Sequence, residues 1–466
     1  MKVLLINPPT GLYVREDRCQ SSVGDFTVSV SRPPMDLMMM ASSLESAGIN
    51  CKIKDYPIEG GDWKAFRRDF LEFNPDLLIL SVTTPTLKDD IISCRIAKEI
   101  NPKTLTIAKG AHFLIDDRQV LEEFNVLDVI IRGENELVIK EIATASDLSR
   151  IKGITYRVAG KIIRNQDRPF LEDLDQLPVP ARHLVNNNLY ARPDTQEAMA
   201  VIETNRGCPG GCIFCLVNLV SGRKIRSRSA KVVVDEIEEC VNKYKIKNFH
   251  FKADTFTWNK DWVISLCEEI IKRKLKIKWL CNSRVNTLDS QRLEWMKEAG
   301  CWAIGLGIES GNQEILNKIK KGITLDECRE AAGLCRKFGI KSYAYFIIGF
   351  PWDNQETIND SIRFALELNT DFIDFFLPYP FPGTELEKVS REYGLIGGQD
   401  KGRAYSQAIM GTLSLPKDKL LKLRKKALMK FYLRPGYIIR MLSGVKSPKV
   451  LYNYFRYGVM ALKKII

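Results

Sequence analysis

Three cysteines are the residues whose spacing points most directly to chemistry. Cys208, Cys212 and Cys215 follow one another as C-x3-C-x2-C in RGCPGGCIFC. The Gly and Pro residues between them predict a tight loop in which the thiols can converge. Three thiolates favour an iron–sulfur cube, with structural zinc as the alternative. Zinc normally takes four ligands, and His183 and His250 lie too far along the chain to predict a fourth. A cube held by three cysteines keeps one iron open, as a catalytic metal requires.

The cysteine loop follows the first strand of a strand–helix alternation that runs from Ala200 to about Leu377. Six strand-like segments alternate there with five helix-length amphipathic segments, which predicts a full or partial (β/α)6 barrel with its chemistry at the carboxyl ends of the strands. The predicted strands are Ala200–Thr204, Asn248–Lys252, Ile277–Cys281, Ala303–Ile308, Ser342–Ile348 and Phe372–Leu377.

The N-terminal part of the chain shows a second alternation of the same kind, which predicts a parallel, doubly wound (Rossmann-like) sheet. Its predicted strands are Val3–Asn7, Cys51–Asp55, Leu77–Val82, Leu105–Lys109 and Val129–Ile131. A hairpin at Gly153–Arg164 and a Pro-punctuated connector follow it. We therefore predict a Rossmann-like domain (1–147), a hairpin and linker (148–193), a barrel domain (194–386) and a helical C-terminal region (387–466).

The excess positive charge is confined to the C-terminus. The 466 residues include 70 Lys or Arg and 57 Asp or Glu, and residues 417–466 hold 14 of the basic residues and one of the acids. Residues 1–416 carry no net charge, so the sequence disfavours a nucleic-acid-binding domain in that part of the chain. The amphipathic tail predicts either helices that pack on the barrel with a solvated basic face or a peripheral contact with an anionic membrane. No apolar run reaches membrane-spanning length and the N-terminus lacks an export signal, so we expect a cytoplasmic protein.

The remaining nine cysteines are dispersed, and in a cytoplasmic chain they are predicted to be reduced thiols, mostly buried as small hydrophobic residues. They are Cys19, Cys51, Cys94, Cys240, Cys267, Cys281, Cys301, Cys328 and Cys335. An aromatic cluster near the last strand is predicted to be barrel core, with a substrate wall as the alternative. Its members are Phe372, Phe375, Phe376, Tyr379 and Phe381.

The cysteine loop, with Phe214 directly before its last cysteine, resembles the radical S-adenosylmethionine (SAM) superfamily. The segments FKADTF, CNSRV, GLGIESG and IIGFP follow in the expected order. The resemblance implies a [4Fe-4S] cluster that binds SAM at its open iron and cleaves it to a 5′-deoxyadenosyl radical, with an electron from a donor such as flavodoxin or ferredoxin. It implies SAM contacts from Phe214, Ala253, Asp254, Arg284, Glu309, Ser310 and Gly349.

The implied contacts differ in what they face on SAM. Ala253-Asp254 would face the methionine amino group, Arg284 and Glu309-Ser310 the carboxylate and ribose, and Gly349 the adenine. For Glu309, a structural salt bridge is the alternative, because ion-pair networks also hold such groups.

The N-terminal segments resemble the cobalamin-binding radical SAM proteins. NPP, PPMDLMMMASSLESAG, NPDLLILSVTT, GAH and IIRGENE occur in sequence, followed by GITYR and LEDLDQLPVPAR. The resemblance implies that cobalamin lies on the first domain against Asn7, Pro8, Ser81, Thr83, Thr84, Gly110, His112, Gly133 and Glu134. NPPTG stands where some cobalamin proteins have Asp-x-His-x-x-Gly, so an axial histidine from that loop is not expected.

The resemblance implies methyl transfer to an unactivated carbon, with SAM serving both as methyl donor to cobalamin and as radical source. A radical cyclase or carbon–carbon coupling enzyme of the same architecture and a non-enzymatic cofactor carrier are the alternatives. A methylthiotransferase is disfavoured because Cys19, Cys51 and Cys94 form no cluster in the first domain. The basic tail suggests a hydrophobic small-molecule substrate, such as a lipid or isoprenoid.

Overall fold

The computed structural model describes residues 1–17, 19–27, 30–397, 407–443, 445 and 447–465. The chain divides into two compact units. Unit 1 consists of Met1–Val23, Ser31–Leu189 and Leu216–Gly222. Unit 2 consists of Gly24–Val30, Tyr190–Cys215 and Arg223–Ile466.

Unit 1 is built on a seven-stranded sheet in the order β2-β1-β3-β4-β5-β6-β7. The strands are β1 (Lys2–Asn7), β2 (Asn50–Asp55), β3 (Leu77–Ser81), β4 (Leu105–Lys109), β5 (Val129–Ile131), β6 (Ile154–Val158) and β7 (Lys161–Arg164). The first five pair in parallel, which confirms the predicted doubly wound sheet. The predicted hairpin forms β6 and β7 and extends this sheet antiparallel to β5, with Ala159 and Gly160 at positive φ in its turn.

The sequence also predicts helices near Asp36–Ala47, Trp63–Phe73, Lys88–Ile100 and Asp117–Phe124, and the structure has a helix at each of them, with the third interrupted at Ile91. The helices of unit 1 are α1 (Met35–Glu45), α2 (Tyr56–Glu59), α3 (Trp63–Phe73), α4 (Leu87–Asp90), α5 (Ile92–Ile100), α6 (Phe113–Glu123), α7 (Val138–Thr144) and α8 (Val217–Val220). Helix α7 was not predicted, because seven residues are too few to show a helical period.

Unit 2 contains the predicted partial barrel as a sheet in the order β14-β13-β12-β11-β10-β8-β9. The strands are β8 (Met199–Arg206), β9 (Arg226–Ser227), β10 (Asn248–Ala253), β11 (Lys278–Ser283), β12 (Cys301–Glu309), β13 (Lys341–Ile347) and β14 (Phe372–Phe376). All six predicted strands are present and parallel, and the short β9 adds an antiparallel pairing to β8. The carboxyl ends of the six strands therefore lie at one edge.

The helices of unit 2 follow its strands, and several of them bury their apolar faces in its core. They are α9 (Ala230–Tyr244), α10 (Lys260–Lys272), α11 (Ser290–Glu298), α12 (Gln313–Lys318), α13 (Leu325–Lys337), α14 (Gln355–Leu368), α15 (Glu385–Glu392), α16 (Lys417–Tyr432), α17 (Pro435–Ser443) and α18 (Pro448–Ile465). Several of these helices begin at a residue whose side chain caps the first turn, as in the capping boxes at Thr324 and Asn354. None of the helices in the described ranges is both long and apolar enough to cross a membrane.

Helix α16 covers the edge strand β14. Its apolar face is buried in the core of unit 2 through Leu420, Leu423, Ala427, Leu428 and Phe431. The Tyr432 hydroxyl accepts a hydrogen bond from the Ile373 amide and donates one to the Ile373 carbonyl. Arg424 donates to the Phe375 carbonyl. These bonds satisfy backbone groups that an open sheet edge would expose, so α16 is part of the barrel rather than a tail.

Candidate active site and cofactor-binding edge

The cysteine loop begins where β8 ends and is anchored to the end of β10. The Gly207 amide donates to the Asp254 carboxylate over 2.7 Å, and Cys208 Sγ lies 3.6 Å from Thr255 Oγ1. A Cβ on Gly210 would stand 3.3 Å from Cys208 Sγ and 3.9 Å from Cys212 Sγ. The loop glycine thus leaves the space beside the two sulfurs open.

The loop thiols differ from most of the other thiols in exposure. Cys208, Cys212 and Cys215 are half-buried, whereas eight of the nine dispersed cysteines are fully buried, as expected from the sequence. Burial raises the pKa of Cys51 and Cys328 to about 12, which keeps those thiols protonated. The accessible thiols in one glycine-containing loop fit the donor set of an iron–sulfur cube. Within the described ranges, no three His, Cys, Asp or Glu side chains are gathered around one position for a single metal ion.

Arg284, which follows β11, links the cysteine loop to the end of β12. One guanidinium nitrogen lies 3.8 Å from Cys212 Sγ, and another donates to the carbonyl of Lys321. The Lys321 ammonium in turn lies 2.7 Å from the Glu309 carboxylate. Burial alone would lower the pKa of Lys321, but the charges of Glu309 and Cys212 outweigh it and raise that pKa. Lys321 is thus a buried cation beside the cysteine loop. It is not among the residues that the sequence predicts for this site.

Glu309 occupies an unusual backbone conformation at the end of β12. Its φ is +69°, in the left-handed region that non-glycine residues rarely adopt. A Cβ on Gly307 would come within 2.7 Å of the Glu309 carboxylate and 2.8 Å of the Lys321 ammonium, so Gly307 makes room for this ion pair. The structural salt bridge considered for Glu309 is present. Such strain is common at functional sites.

The remaining predicted SAM residues lie in the cysteine loop and at or after the ends of β10, β12 and β13. The Ala253 side chain belongs to the hydrophobic core and the Ser310 hydroxyl lies 3.2 Å from that of Ser361 in α14. Phe214 lies 5.6 Å, centroid to centroid, from Phe350, the residue after Gly349. The structure thus brings the aromatic residue of the cysteine loop beside the turn that follows β13, which we call the Gly349 corner (Gly349 and Phe350).

The side chain of Asp353 stabilises the Gly349 corner. Its carboxylate accepts hydrogen bonds from the amides of Gly349 and Phe350, over 2.8 and 3.0 Å, and from the hydroxyl of Thr357 over 2.7 Å. Gly349 has a φ of +103°, which favours glycine. Burial raises the pKa of Asp353 to about 6, although these three donors act in the opposite direction.

We expect Asp353 to make stability fall as pH rises from about 4 to about 6. The buried carboxyl binds its proton more tightly in the folded chain than in the unfolded chain, so ionisation opposes folding across this window. Relative to Asp353→Asn, the wild type should lose about 2–3 kcal/mol of unfolding free energy between pH 4 and 7. Urea unfolding of both proteins across this range measures the difference. A difference that does not vary with pH would contradict the expectation.

A second buried charge cluster lies at the ends of β8 and β10. Glu203 pairs with Arg206, and its other carboxylate oxygen lies 3.1 Å from the Lys252 ammonium. Burial favours the protonated acid, but the two cations outweigh it and hold the pKa of Glu203 well below its usual value. Glu203 and Arg206 are three residues apart, whereas Lys252 is 49 residues from Glu203 and comes beside it through the pairing of β8 with β10.

In unit 1, the predicted cobalamin residues lie together at the carboxyl edge of the parallel strands. Asn7 ends β1, Ser81 ends β3, and Gly110 and Gly133 follow β4 and β5. In the strand order β2-β1-β3-β4-β5, the chain direction across the sheet reverses between β1 and β3, which is where such sheets bind ligands. A Cβ on Gly110 would lie 2.2 Å from the Val82 carbonyl oxygen, so only glycine fits there.

This edge contains buried polar atoms whose hydrogen bonds are not made within the described part of the chain. They are Asn7 Oδ1, Thr84 Oγ1 and Asn135 Oδ1. Buried polar groups are normally hydrogen-bonded, so these oxygens are acceptors that a ligand or a water molecule can satisfy. Cobalamin carries a rim of amide groups that can donate to oxygens of this kind, and the edge fits it. Sequence reasoning had included Asn7 and Thr84 but missed Asn135, which lies in the quoted IIRGENE segment.

A buried ion pair holds the loop after β1 against the same edge. Arg15 pairs with Asp90 over 2.9 Å and donates to the Ser81 carbonyl, and Asp90 also accepts hydrogen bonds from Thr10 and Thr86. Asp90 is fully buried. These residues are separated by up to 80 positions, which explains why the sequence did not reveal the network.

Three of the predicted cobalamin residues have structural partners. His112 is buried, with Nε2 at 3.6 Å from the Asp116 carboxylate, and the Glu134 carboxylate accepts a hydrogen bond from the Leu171 amide over 2.6 Å. Thr83 and Thr86 share a hydrogen bond between their hydroxyls. Whether these side chains also contact cobalamin stays a prediction.

Comparison with known proteins agrees with both halves of this description. Residues 202–365 match the radical SAM superfamily, and residues 25–143 match the B12 binding domain. An uncharacterized methyltransferase of Pyrococcus horikoshii is 31% identical over 446 residues, covering 94% of each chain. An anaerobic magnesium-protoporphyrin IX monomethyl ester cyclase of Rubrivivax gelatinosus is also 31% identical, over 69% of this chain and 59% of its own.

Solved structures show the same fold. TsrM from Kitasatospora setae, a radical SAM methyltransferase solved with tryptophan substrate and a SAM analogue, matches with a TM-score of 0.68 and 19% identity, over 86% of this chain and 78% of its own. The cobalamin-dependent enzyme OxsB, solved with aqua-cobalamin and SAM, matches with a TM-score of 0.70 and 17% identity, over 100% of this chain and 71% of its own.

The chain therefore belongs to the cobalamin-binding radical SAM enzymes. The family carries three cofactors, a [4Fe-4S] cluster, SAM and cobalamin, which are the three expected from the sequence.

Proposed function

We propose that the enzyme transfers a methyl group to an unactivated carbon of a small hydrophobic substrate. One observation carries the proposal. Arg284 contacts a cluster cysteine and the Lys321 backbone, and Lys321 holds Glu309, so a SAM molecule on the cluster would lie against charged groups fixed at one strand edge. Unit 1 offers a separate polar edge for cobalamin. The similar Pyrococcus horikoshii protein is named as a methyltransferase, which supports methyl transfer.

We assign the residues as the sequence predicts. Cys208, Cys212 and Cys215 hold the cluster. The SAM residues are Phe214, Ala253, Asp254, Arg284, Glu309, Ser310 and Gly349. The cobalamin residues are Asn7, Pro8, Ser81, Thr83, Thr84, Gly110, His112, Gly133 and Glu134, to which we add Asn135. The domain limits 1–147, 148–193, 194–386 and 387–466 belong to the same proposal.

The proposed reaction consumes two SAM molecules. One gives its methyl group and leaves as S-adenosylhomocysteine, and cobalamin, when bound, supplies the methyl-carrying chemistry. The other accepts one electron through the cluster from a donor such as flavodoxin or ferredoxin and yields methionine and a 5′-deoxyadenosyl radical. That radical removes a substrate hydrogen and becomes 5′-deoxyadenosine, and the substrate radical that remains takes up the methyl group to form the new carbon–carbon bond. Because the methyl group leaves SAM without its bonding electrons, each turnover needs a second electron, which the same donor would supply. The residues of the chain position SAM, neutralise its carboxylate and exclude water.

Bond formation without methyl transfer is the second candidate function. It is favoured by the Rubrivivax gelatinosus relative, which is named as a cyclase and is as similar to this chain where the two align. A radical cyclase would use the same cysteine loop and the same SAM residues. The two functions therefore differ in their products.

Cofactor and product analysis of protein purified anaerobically from cobalamin-supplied cells tests the proposal. We expect one cobalamin and about four irons per chain. With dithionite and SAM, we expect both 5′-deoxyadenosine and S-adenosylhomocysteine. Formation of 5′-deoxyadenosine without S-adenosylhomocysteine would reject methyl transfer in favour of the second candidate. Bound cofactors without any SAM cleavage would favour a carrier.

The last part of the basic region, residues 434–466, supports the proposal that the enzyme acts in the cytoplasm at a membrane surface. Large apolar residues are exposed on one face of α17 and one face of α18, which together we call the C-terminal apolar face. Its members are Ile438, Ile439, Leu442, Leu451, Tyr452, Phe455 and Val459. Residues 434–466 contain seven Lys or Arg and neither Asp nor Glu. Exposed apolar and aromatic residues with surrounding positive charge match a peripheral contact with anionic lipid.

We expect the enzyme to float with vesicles of phosphatidylcholine and phosphatidylglycerol, and the double variant Tyr452→Ser, Phe455→Ser to lose most of this binding. The two side chains are 65% and 70% exposed, so their replacement should leave the fold intact. Leu71→Ser, at a 56% exposed residue of α3, is the matched control and should float like the wild type. Equal flotation of wild type and double variant would reject the membrane contact.

A further inference from the structure

Arg284 is a buried cation that has no carboxylate among its partners in the described part of the chain. A guanidinium carries its charge throughout the physiological pH range, and this one is 9% exposed. Its Nε lies 3.3 Å from the amide oxygen of Asn286, and one terminal nitrogen donates to the carbonyls of Lys321 and Gly322. The other terminal nitrogen lies 3.8 Å from Cys212 Sγ. Among these partners, only the sulfur can carry a negative charge.

Three other buried arginines each pair with an acid. Arg192, Arg206 and Arg228 form ion pairs with an Asp or a Glu side chain. This is the usual arrangement, because moving a charge out of water is costly unless an opposite charge meets it. Since none of the described partners of Arg284 is an acid, the group that it contacts has to supply the counter-charge.

The other charged groups at this edge are bonded in a different way. The Lys321 ammonium lies 2.7 Å from the Glu309 carboxylate, so this pair adds little net charge. The Asp254 carboxylate accepts a hydrogen bond from the Gly207 amide of the cysteine loop. Arg284 therefore brings a positive charge to a cysteine sulfur without an acid of its own.

Backbone groups fix the Arg284 guanidinium beside the cysteine loop. The amide of Ile213, the residue after Cys212, donates to the Ile319 carbonyl over 3.2 Å, which joins the loop to the segment between α12 and α13. The Arg284 guanidinium donates to two carbonyls of the same segment. The protein itself therefore sets the distance between the guanidinium and the sulfur.

A positive charge at this place affects how easily an iron–sulfur cluster takes up an electron. A cube held by three thiolates has a net negative charge, which grows when the cube is reduced. Hydrogen bonds and positive charge at its sulfurs stabilise the reduced form and raise the reduction potential. Resting on the cluster assignment in the proposed function, we propose that Arg284 raises the reduction potential of the cluster through its charge beside Cys212. A donor such as flavodoxin or ferredoxin then reduces the cluster at a less negative potential.

A redox titration of the enzyme loaded with cluster and cobalamin, followed by the EPR signal of the reduced cluster, tests the proposal. It is carried out before SAM is added, so a contact between Arg284 and SAM has no influence on it. At a fixed potential, we expect Arg284→Gln to lower the ratio of reduced to oxidised cluster by at least about tenfold, a shift of about 59 mV for one electron. Arg284→Lys retains the charge and should restore most of the wild-type ratio.

A second variant changes the charge without removing Arg284. Asn286→Asp places a carboxylate at the residue whose amide oxygen lies 3.3 Å from Nε of Arg284. We expect the ratio to fall, but less than in Arg284→Gln, because residue 286 is exposed and water screens its charge. Lys320→Met is the control. It removes a positive charge from an exposed residue that pairs with Glu385 at 2.6 Å, and the ratio should not change.

Iron content shows whether each variant retains the cluster. A wild-type ratio in Arg284→Gln would overturn the inference, as would a wild-type ratio in Asn286→Asp if Arg284→Gln retains no iron. An equal fall in Lys320→Met would also overturn it. Weaker SAM binding by Arg284→Gln at an unchanged potential would leave Arg284 with the SAM contact alone.

Failure of the proposed function is distinguishable from these results, because it is measured on the wild type. A wild type without iron would reject the cluster assignment. A wild type whose cluster potential depends on Arg284 but that forms no S-adenosylhomocysteine would retain this inference and lose methyl transfer.

Discussion

Replacing Cys212 with alanine should remove the iron–sulfur cluster and abolish reductive cleavage of SAM. The cysteine supplies one of three predicted thiolates, and two thiolates are too few to hold a cube with a single open iron. We expect iron to fall from about four per chain to near zero. The 5′-deoxyadenosine formed with dithionite should fall by at least about a thousandfold, since little catalysis remains without the electron source.

A second variant separates cluster loss from general damage by cysteine removal. Cys19 is also half-buried but lies outside the cysteine loop, so Cys19→Ala should retain iron and SAM cleavage. Cobalamin should remain bound in both variants, because its predicted residues lie in unit 1. Full 5′-deoxyadenosine production by Cys212→Ala would refute the cluster assignment, and loss of iron in Cys19→Ala would show that the effect is not specific to the loop.

Removing residues 417–466 should prevent unit 2 from folding. Five buried side chains of α16 would be lost from the core, and at roughly 1.5–3 kcal/mol each the three leucines and Phe431 alone contribute about 6–12 kcal/mol. That amount is comparable with the whole stability of a typical domain, about 5–15 kcal/mol. The hydrogen bonds of Tyr432 and Arg424 to β14 would disappear as well. Soluble yield, circular dichroism and resistance to proteolysis measure the outcome.

A shorter deletion tests whether α16 alone carries this effect. Removing residues 447–466 takes away α18 and its hydrogen bond from Asn453 to the Asp194 carbonyl but leaves α16 on the barrel. We expect this chain to fold with a modest loss of stability and to bind vesicles weakly. A folded, cluster-loaded protein lacking residues 417–466 would contradict the structural role of α16.

The helices of the basic C-terminal region differ in how much of their apolar surface is buried. The sequence left its two interpretations open, packing on the barrel or contact with a membrane. Packing is the observed state of α16, whose apolar residues recur with helical period and are buried in the core. The apolar residues exposed on α17 and α18 support the other interpretation for those two helices only. Flotation of substitution variants tests membrane contact without disturbing α16.

The sequence by itself determined the features that depend on neighbouring residues. The spacing of Cys208, Cys212 and Cys215 predicts the cluster loop, because a loop of eight residues needs no distant part of the chain to bring its thiols together. The strands and most helices were predictable because the period of apolar residues is a local property that selects between strand and helix. The alternation of strands and helices along the chain was sufficient to predict both parallel sheets.

Only the tertiary structure decided which distant side chains meet. Lys321 neutralises Glu309, Tyr432 covers the backbone of Ile373, and the ring of Tyr345 lies over Gly305. These contacts depend on strand register, on the side-chain alternation of each strand and on helix packing, none of which is encoded in local periodicity. The different burial of Phe375, which is fully buried, and Phe376, which is half-buried, was decided in the same way, since residues one position apart on a strand face opposite sides of the sheet.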